Sequence, residues 1–260
     1  MQRAERGGSA RGNEAFSVEG EGMTELFGLL QFGSEGWADE LLAGTWLTIR
    51  LALATVPFGL MLGLAVALAK NSHSSVLRFV GNVFTTVFRG LPELLTLFIV
   101  YYGGQILFQK IVALFVDTYV EVSSFVAGMV ALGVVFAAYA SEVFLAALRA
   151  ISKGQIEAAR ALGLSRGLTL RLVIIPQLWR YALPGIGNLW LVLLKDTSLV
   201  SVIALDDLLR QTKVAVGATK EPFFFYLAAC LIYLVLSIVS SVFLVAMEKR
   251  ANRGQRRVGA

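Results

Sequence analysis

Between Pro222 and Met247 the chain runs for 26 residues without a charged side chain, and between Leu51 and Ala69 for 19. A helix of about 20 apolar residues spans the roughly 30 Å of a bilayer's hydrocarbon core. Leu94–Gln109 and Ser123–Ser141 are also free of charge. These runs constrain the fold more than any other feature. Apolar residues make up 57% of the chain and charged residues 16%, against about half and a quarter in soluble domains. The chain therefore reads as an all-α integral membrane protein built as one bundle. Its lone cysteine, Cys230, lies inside an apolar run, and its lone histidine, His73, in a polar turn. That leaves no disulfide framework, no Cys-based metal site and little basis for a His-dependent hydrolase.

Taken in order, residues 1–22 are Gly-rich and mixed in charge, which predicts a disordered extension. Met23 is a candidate start; a flexible tail beginning at Met1 is the alternative. Residues 23–43 form an amphipathic lead-in. The first span is expected over 44–69, with Gly59 and Gly63 spaced for close helix packing. The second, over 78–109, contains Pro92 beside Arg89 and Glu93, which predicts a break or kink. Irregular backbone at that depth needs protein or a cavity around it. The third covers 122–148, with Gly128 and Gly133 among small residues. The fourth, 181–205, carries Lys195 and Asp196. Asp206–Glu221 reads as a polar loop, 222–247 as the fifth span, and 251–260 as a basic tail.

Thirteen Lys and Arg flank the spans on the side of the 152–176 stretch, against four in the opposite loops. By the positive-inside rule this places 152–176 and the C-terminus in the cytoplasm and the N-terminus in the periplasm. The net charge of +5 serves that orientation. The basic residues form no aromatic-interleaved patch, so nucleic acid is not an expected partner; membrane lipid is.

The stretch from Ser152 to Pro176 is the long polar interruption in this apolar chain. Ser152 followed by Gln155 has the spacing of a capping box. Gly163 sits where a helix-ending glycine belongs. Between them a short helix is expected, with Glu157 favourably placed in its first turn. Ala158, Ala159 and Ala161 would let another surface come close to its backbone.

The segment IEAARALG at Ile156–Gly163, followed by IIPQ at Ile174–Gln177, resembles the EAA loop of permease subunits of bacterial ABC importers. Ile175-Pro176 departs mildly from the Leu-Pro often found there. AYASEVFLAALRAISKGQIEAARALG, FRGLPELL and LLKDTSLVSVI look like the polar amino-acid branch of that family, and the likeness covers roughly residues 40–250. It implies a five-span type I importer bundle in a bacterial inner membrane. It implies import of polar amino acids of the histidine, lysine, arginine, ornithine or opine type. Glu157, Ala158, Ala159 and Gly163 would form a coupling helix seated in an ABC ATPase dimer. A second permease subunit, either a homologous chain, the reading favoured here, or a second copy, and a periplasmic solute-binding protein would complete the assembly. The chain contains no G-x-x-x-x-G-K-[ST] phosphate loop, so ATP and Mg belong to the partner ATPase and no cofactor is expected here.

Ionisable groups inside spans need a reason. Glu93, at the Pro92 break, matches a cationic amino acid, and Glu142, Asp196 and Thr197 are further candidates for the substrate pathway. An ion pair is the alternative use of Glu142 and Asp196. A transporter driven by an ion gradient is the competing class, since it also uses broken helices and buried charge. It needs no cytoplasmic knob, and the chain has no evident inverted repeat.

Overall fold

The computed structural model describes residues 26, 28–33, 36–115, 122–203 and 205–252. The 1–22 extension, Met23 and nearly all of the C-terminal tail lie outside them. Within the described residues the chain forms eight helices: α1 (Ala38–Lys70), α2 (Ser75–Gly90), α3 (Glu93–Val112), α4 (Ser124–Ala150), α5 (Lys153–Ala161), α6 (Arg166–Ile203), α7 (Leu208–Thr219) and α8 (Pro222–Ala251). Five of them, α1, α3, α4, α6 and α8, are long and apolar enough to cross a membrane.

Helix α4 is the axis. Its Ala127, Ala131, Ala137, Ala138, Ala140 and Ala147 are buried, and such small side chains let neighbouring backbones come close. The Gly59/Gly63 pair of α1 uses this closeness. A Cβ at Gly63 would stand 3.0 Å from both Ala137 O and Ala140 Cβ, and one at Gly59 would stand 2.5 Å from the Phe136 ring. Gly133 of α4 in turn receives the ring of Phe58. Helix α6 covers another flank of α4, and Leu51, Leu97, Phe136, Phe144, Leu193 and Val200 interdigitate as the main core.

Three threonine hydroxyls of α1 in this apolar interior are satisfied locally. Thr45, Thr48 and Thr55 donate to Leu41 O, Gly44 O and Leu51 O at 2.6, 2.9 and 2.8 Å, so each is buried without an orphaned donor.

The expected break at Pro92 divides the 78–109 stretch into two helices. Leu91 is extended (φ −87, ψ 143), because a proline excludes the residue before it from the helical region. Only α3 is long enough to span; α2 buries Gly81 and Thr85 alone.

Two further departures have separate causes. Helix α6 begins at Arg166, well before Tyr181, because the Pro176 ring is accommodated by π-helical turns at Leu170–Ile174 directly ahead of it. The expected polar loop 206–221 contains α7. Asp207 starts that helix by accepting from Arg210 N and Leu209 N at 3.1 and 3.4 Å, and Lys220 ends it in the left-handed region (φ 62). A second small core of Leu41, Leu208, Ala215, Phe225 and Ala229 fastens α7 to α1 and α8.

Candidate functional site

Three clusters gather the residues picked out by sequence. The first is α5. Ser152 stands at its N-cap but its hydroxyl makes no capping bond; Gln155 N donates to the Ser152 carbonyl at 3.2 Å instead. The capping box is therefore absent. The other end forms as expected. Gly163 adopts φ +79, Gly163 N donates to Arg160 O at 2.9 Å, and Leu164 N to Ala159 O at 3.1 Å. This is a Schellman motif, and its left-handed position favours glycine. Glu157 and Ala158 face outward, whereas Ala159 is buried against the bundle. Ala159 thus holds the knob to its own protein rather than offering a surface to another. Leu162 is 82% exposed. It presents an apolar side chain beside the turn, and only its place next to Gly163 could have signalled this.

The second cluster lies between α3, α4 and α6. Glu93 and Asp196, 103 positions apart, face each other closely enough to interact across a cavity also lined by Leu97, Tyr139, Leu189 and Val192. Its volume is about 20 Å³, room for a single water, so no amino acid fits at this level in this conformation. Thr197 follows Asp196 but does not line this cavity; it is buried and donates to Leu194 O at 2.7 Å, which uses its hydroxyl within the helix. Pro92 is exposed and sets the break that starts α3 with Glu93.

The third cluster surrounds Glu142. Its carboxylate pairs with Lys70 at 2.5 Å and with Arg89 at 3.3 Å, and Lys70 also donates to Thr85 at 3.1 Å. Arg89 lies over the Tyr139 ring, 5.4 Å from its centroid. Lys70 reads as part of a surface turn in the sequence, yet its side chain is only 7% exposed. Its inward direction depends on Gly81, where a Cβ would meet the Lys70 side chain at 2.7 Å. The cluster borders an open cavity of about 470 Å³, large enough for an amino acid. Two cations share one carboxylate, so the wall carries a net positive charge. Tyr139 lines both cavities and joins the cationic one to the acidic one.

Residues 56–253 match the model of the binding-protein-dependent transport system inner membrane component family. The chain belongs to this family. It is 46% identical over 230 residues to the nopaline transport system permease protein NocQ of Agrobacterium fabrum, covering 88% of this chain and 98% of that one. It is 39% identical over 222 residues to the histidine/lysine/arginine/ornithine transport system permease protein HisQ of Salmonella typhimurium, covering 85% and 97%. A crystal structure of an amino acid ABC transporter with histidines superposes with a TM-score of 0.70 at 33% identity, over 82% of this chain and 95% of that one. The chain is thus a multi-pass permease of the inner membrane within an ATP-driven importer. That sets aside the ion-gradient reading. As a permease, it is a transport component and not an enzyme.

Proposed function

We propose that this permease forms one half of the pathway of an importer of cationic amino acids or opines, and that α5 couples it to a separate ATPase dimer, which uses ATP and Mg. The observation that carries the reading is α5 itself, a short helix docked through Ala159 at the end of the bundle between two membrane-crossing helices. Glu157, Ala158 and Leu162 are its outward contacts. The excess of Lys and Arg puts α5 and the C-terminus in the cytoplasm, and α7 and the N-terminus in the periplasm facing a solute-binding protein. The second half of the pathway is a homologous permease chain.

The substrate class rests on Glu93 and Asp196. Two facing carboxylates in a membrane interior repel unless they share a proton or a cation lies between them, and a basic side chain supplies such a cation. The names of the similar permeases, which include nopaline, octopine, histidine, lysine and arginine, agree with that chemistry. The test is uptake of radiolabelled arginine into proteoliposomes holding the complete complex, with binding protein and ATP supplied. Uptake should need ATP hydrolysis, survive an ionophore, and fall at least tenfold in Glu157→Lys with the complex still assembled. Uptake that collapses with the ionophore alone, or a Glu157→Lys complex that transports normally, would overturn the proposal.

A further inference from the structure

The open cavity between α1, α2 and α4 holds more hydrogen-bonding capacity than its own ion pairs take up. Glu142 receives Lys70 and Arg89 on one and the same oxygen, Oε1. Its Oε2 has no partner among the described residues, and 36% of the side chain is exposed. Arg89 gives Glu142 one nitrogen, Nη1, at 3.3 Å. Its Nε and Nη2 make no hydrogen bond among the described residues, and 45% of its side chain is exposed. A guanidinium carries five N–H donors in a fixed fork, so most of this one is free. The Tyr139 ring, 5.4 Å away, supports it by a cation–π contact. Lys70 stays with Glu142 and Thr85, and Arg89 therefore supplies the excess positive charge.

A free cationic fork and a free carboxylate oxygen thus border one cavity. They complement the zwitterionic head of an amino acid, whose carboxylate and ammonium sit on the same carbon. Planar carboxylates suit the arginine fork, and an ammonium needs an acceptor such as Oε2. The volume of about 470 Å³ holds such a ligand, and Asn82 and Thr86 add polar groups to the wall. A phosphate dianion fits less well, because Glu142 lies in the same cavity and repels it.

We propose that Arg89 binds the carboxylate, and Glu142 the ammonium, of the head group of the amino acid in transit. Lys70 is a positioning residue that holds Glu142 from the other side. The proposal rests on the import function above and adds to it the residues that read the part of the substrate common to every amino acid.

The test is arginine binding to the purified complex without binding protein or ATP, measured by calorimetry. Agmatine, which is arginine without its carboxylate, is the comparison. Arg89→Gln leaves the Lys70–Glu142 pair in place. It should weaken arginine about tenfold or more, the usual worth of hydrogen bonds to charged groups, and leave agmatine unchanged. Arg89→Lys, which keeps the charge and loses the fork, should fall between wild type and Arg89→Gln. A purely structural role would weaken both ligands alike. The second arm needs no variant. Phenylglyoxal modifies arginine side chains, and mass spectrometry of the wild-type complex locates the product at Arg89. Arginine should slow modification there, and so should glycine at higher concentration, because glycine is the head group alone; agmatine should not. Equal loss of arginine and agmatine in Arg89→Gln, or loss of neither, would overturn the proposal. So would protection of Arg89 by inorganic phosphate or by phosphatidylglycerol nanodiscs but not by arginine or glycine, which would assign the cavity to a phosphate. If glycine protects Arg89 while arginine is neither bound nor taken up, the substrate class proposed above fails and the head-group site stands. If arginine is taken up and neither amino acid protects Arg89, the head-group site fails alone.

Discussion

Asp207 should make this permease more stable in mild acid than at neutral pH, and Asp207→Asn should remove that dependence. The residue is fully buried because α1 closes over it at Gly44, where a Cβ would stand 2.9 Å from the Asp207 carbonyl. Burial pushes its carboxyl up from the ordinary 3.8 to about 6, against the lowering effects of the Arg210 and Leu209 amides and the Lys213 ammonium. A folded state that holds its proton more tightly than the unfolded chain loses stability as pH rises from about 4 to about 6, and changes no further above that. The gap of roughly two pH units, at about 1.36 kcal/mol per unit, amounts to about 3 kcal/mol. Asparagine keeps an oxygen to accept from Arg210 N, gives up the longer bond that Leu209 N makes to the other carboxylate oxygen, and carries no charge. Asp207→Asn should therefore show a flat profile over pH 4–7 and exceed the wild type at pH 7. Asp207→Ala loses the cap as well, at a cost of about 1–2 kcal/mol, and should fall below Asp207→Asn at every pH. Denaturant unfolding in detergent, followed by tryptophan fluorescence, measures both. If Asp207→Asn keeps the wild-type slope, or is less stable than Asp207→Ala at pH 7, the reasoning fails and the carboxylate charge is itself a structural partner of Lys213.

Gly63→Leu should force α1 and α4 apart and lower stability by about 1–3 kcal/mol, the usual penalty of overpacking; an unchanged melting curve in detergent would show that the contact has slack. Lys70→Met should cost about 1–3 kcal/mol, below the value for a fully buried pair, because Arg89 still reaches Glu142 and the Glu142 side chain is 36% exposed. Adding Glu142→Gln should recover part of that loss, and strictly additive effects would mean that the two side chains are not coupled. Glu93→Gln should weaken uptake of a cationic amino acid several-fold; unchanged uptake would remove Glu93 from the pathway.

The membrane-crossing helices α1, α3, α4 and α8 were legible because a long run free of charge is a local property that burial does not alter. The break at Pro92 and the turn at Gly163 were legible for the same reason, since each follows from the φ and ψ that one residue type permits. Legibility ended where the chain meets itself. The inward direction of Lys70 depends on Gly81 and on Glu142, 72 positions away. The outward face of α5 could not be separated from its inward one, because Ala158 and Ala159 differ only in which side of a nine-residue helix meets the bundle. Helix α7 was hidden in a polar loop whose starting residue, Asp207, is buried by a helix from the other end of the chain. The start of α6 ahead of Pro176 was hidden because the π-helical turns that absorb its ring have no signature in composition.

The ionisable groups of the spans then separate by how their charge is met. Lys70, Arg89 and Glu142 neutralise one another in part and leave a positive wall on a cavity that an amino acid could occupy. Glu93 and Asp196 oppose each other and leave a negative one in a cavity closed to anything larger than water. Tyr139 borders both, one helical turn before Glu142 on the same face of α4. An amino acid with a basic side chain carries both charges that these walls want, its carboxylate for the first and its cation for the second. It can satisfy them together only if the smaller cavity opens. Helix α4 ends at Ala150 and α5 begins at Lys153, so a push on α5 acts directly on the helix that carries Tyr139 and Glu142. The polarity of the two cavities and the position of the knob thus meet on one helix, and under the function proposed above movement of that helix is the step by which work done outside the bundle would reach the substrate.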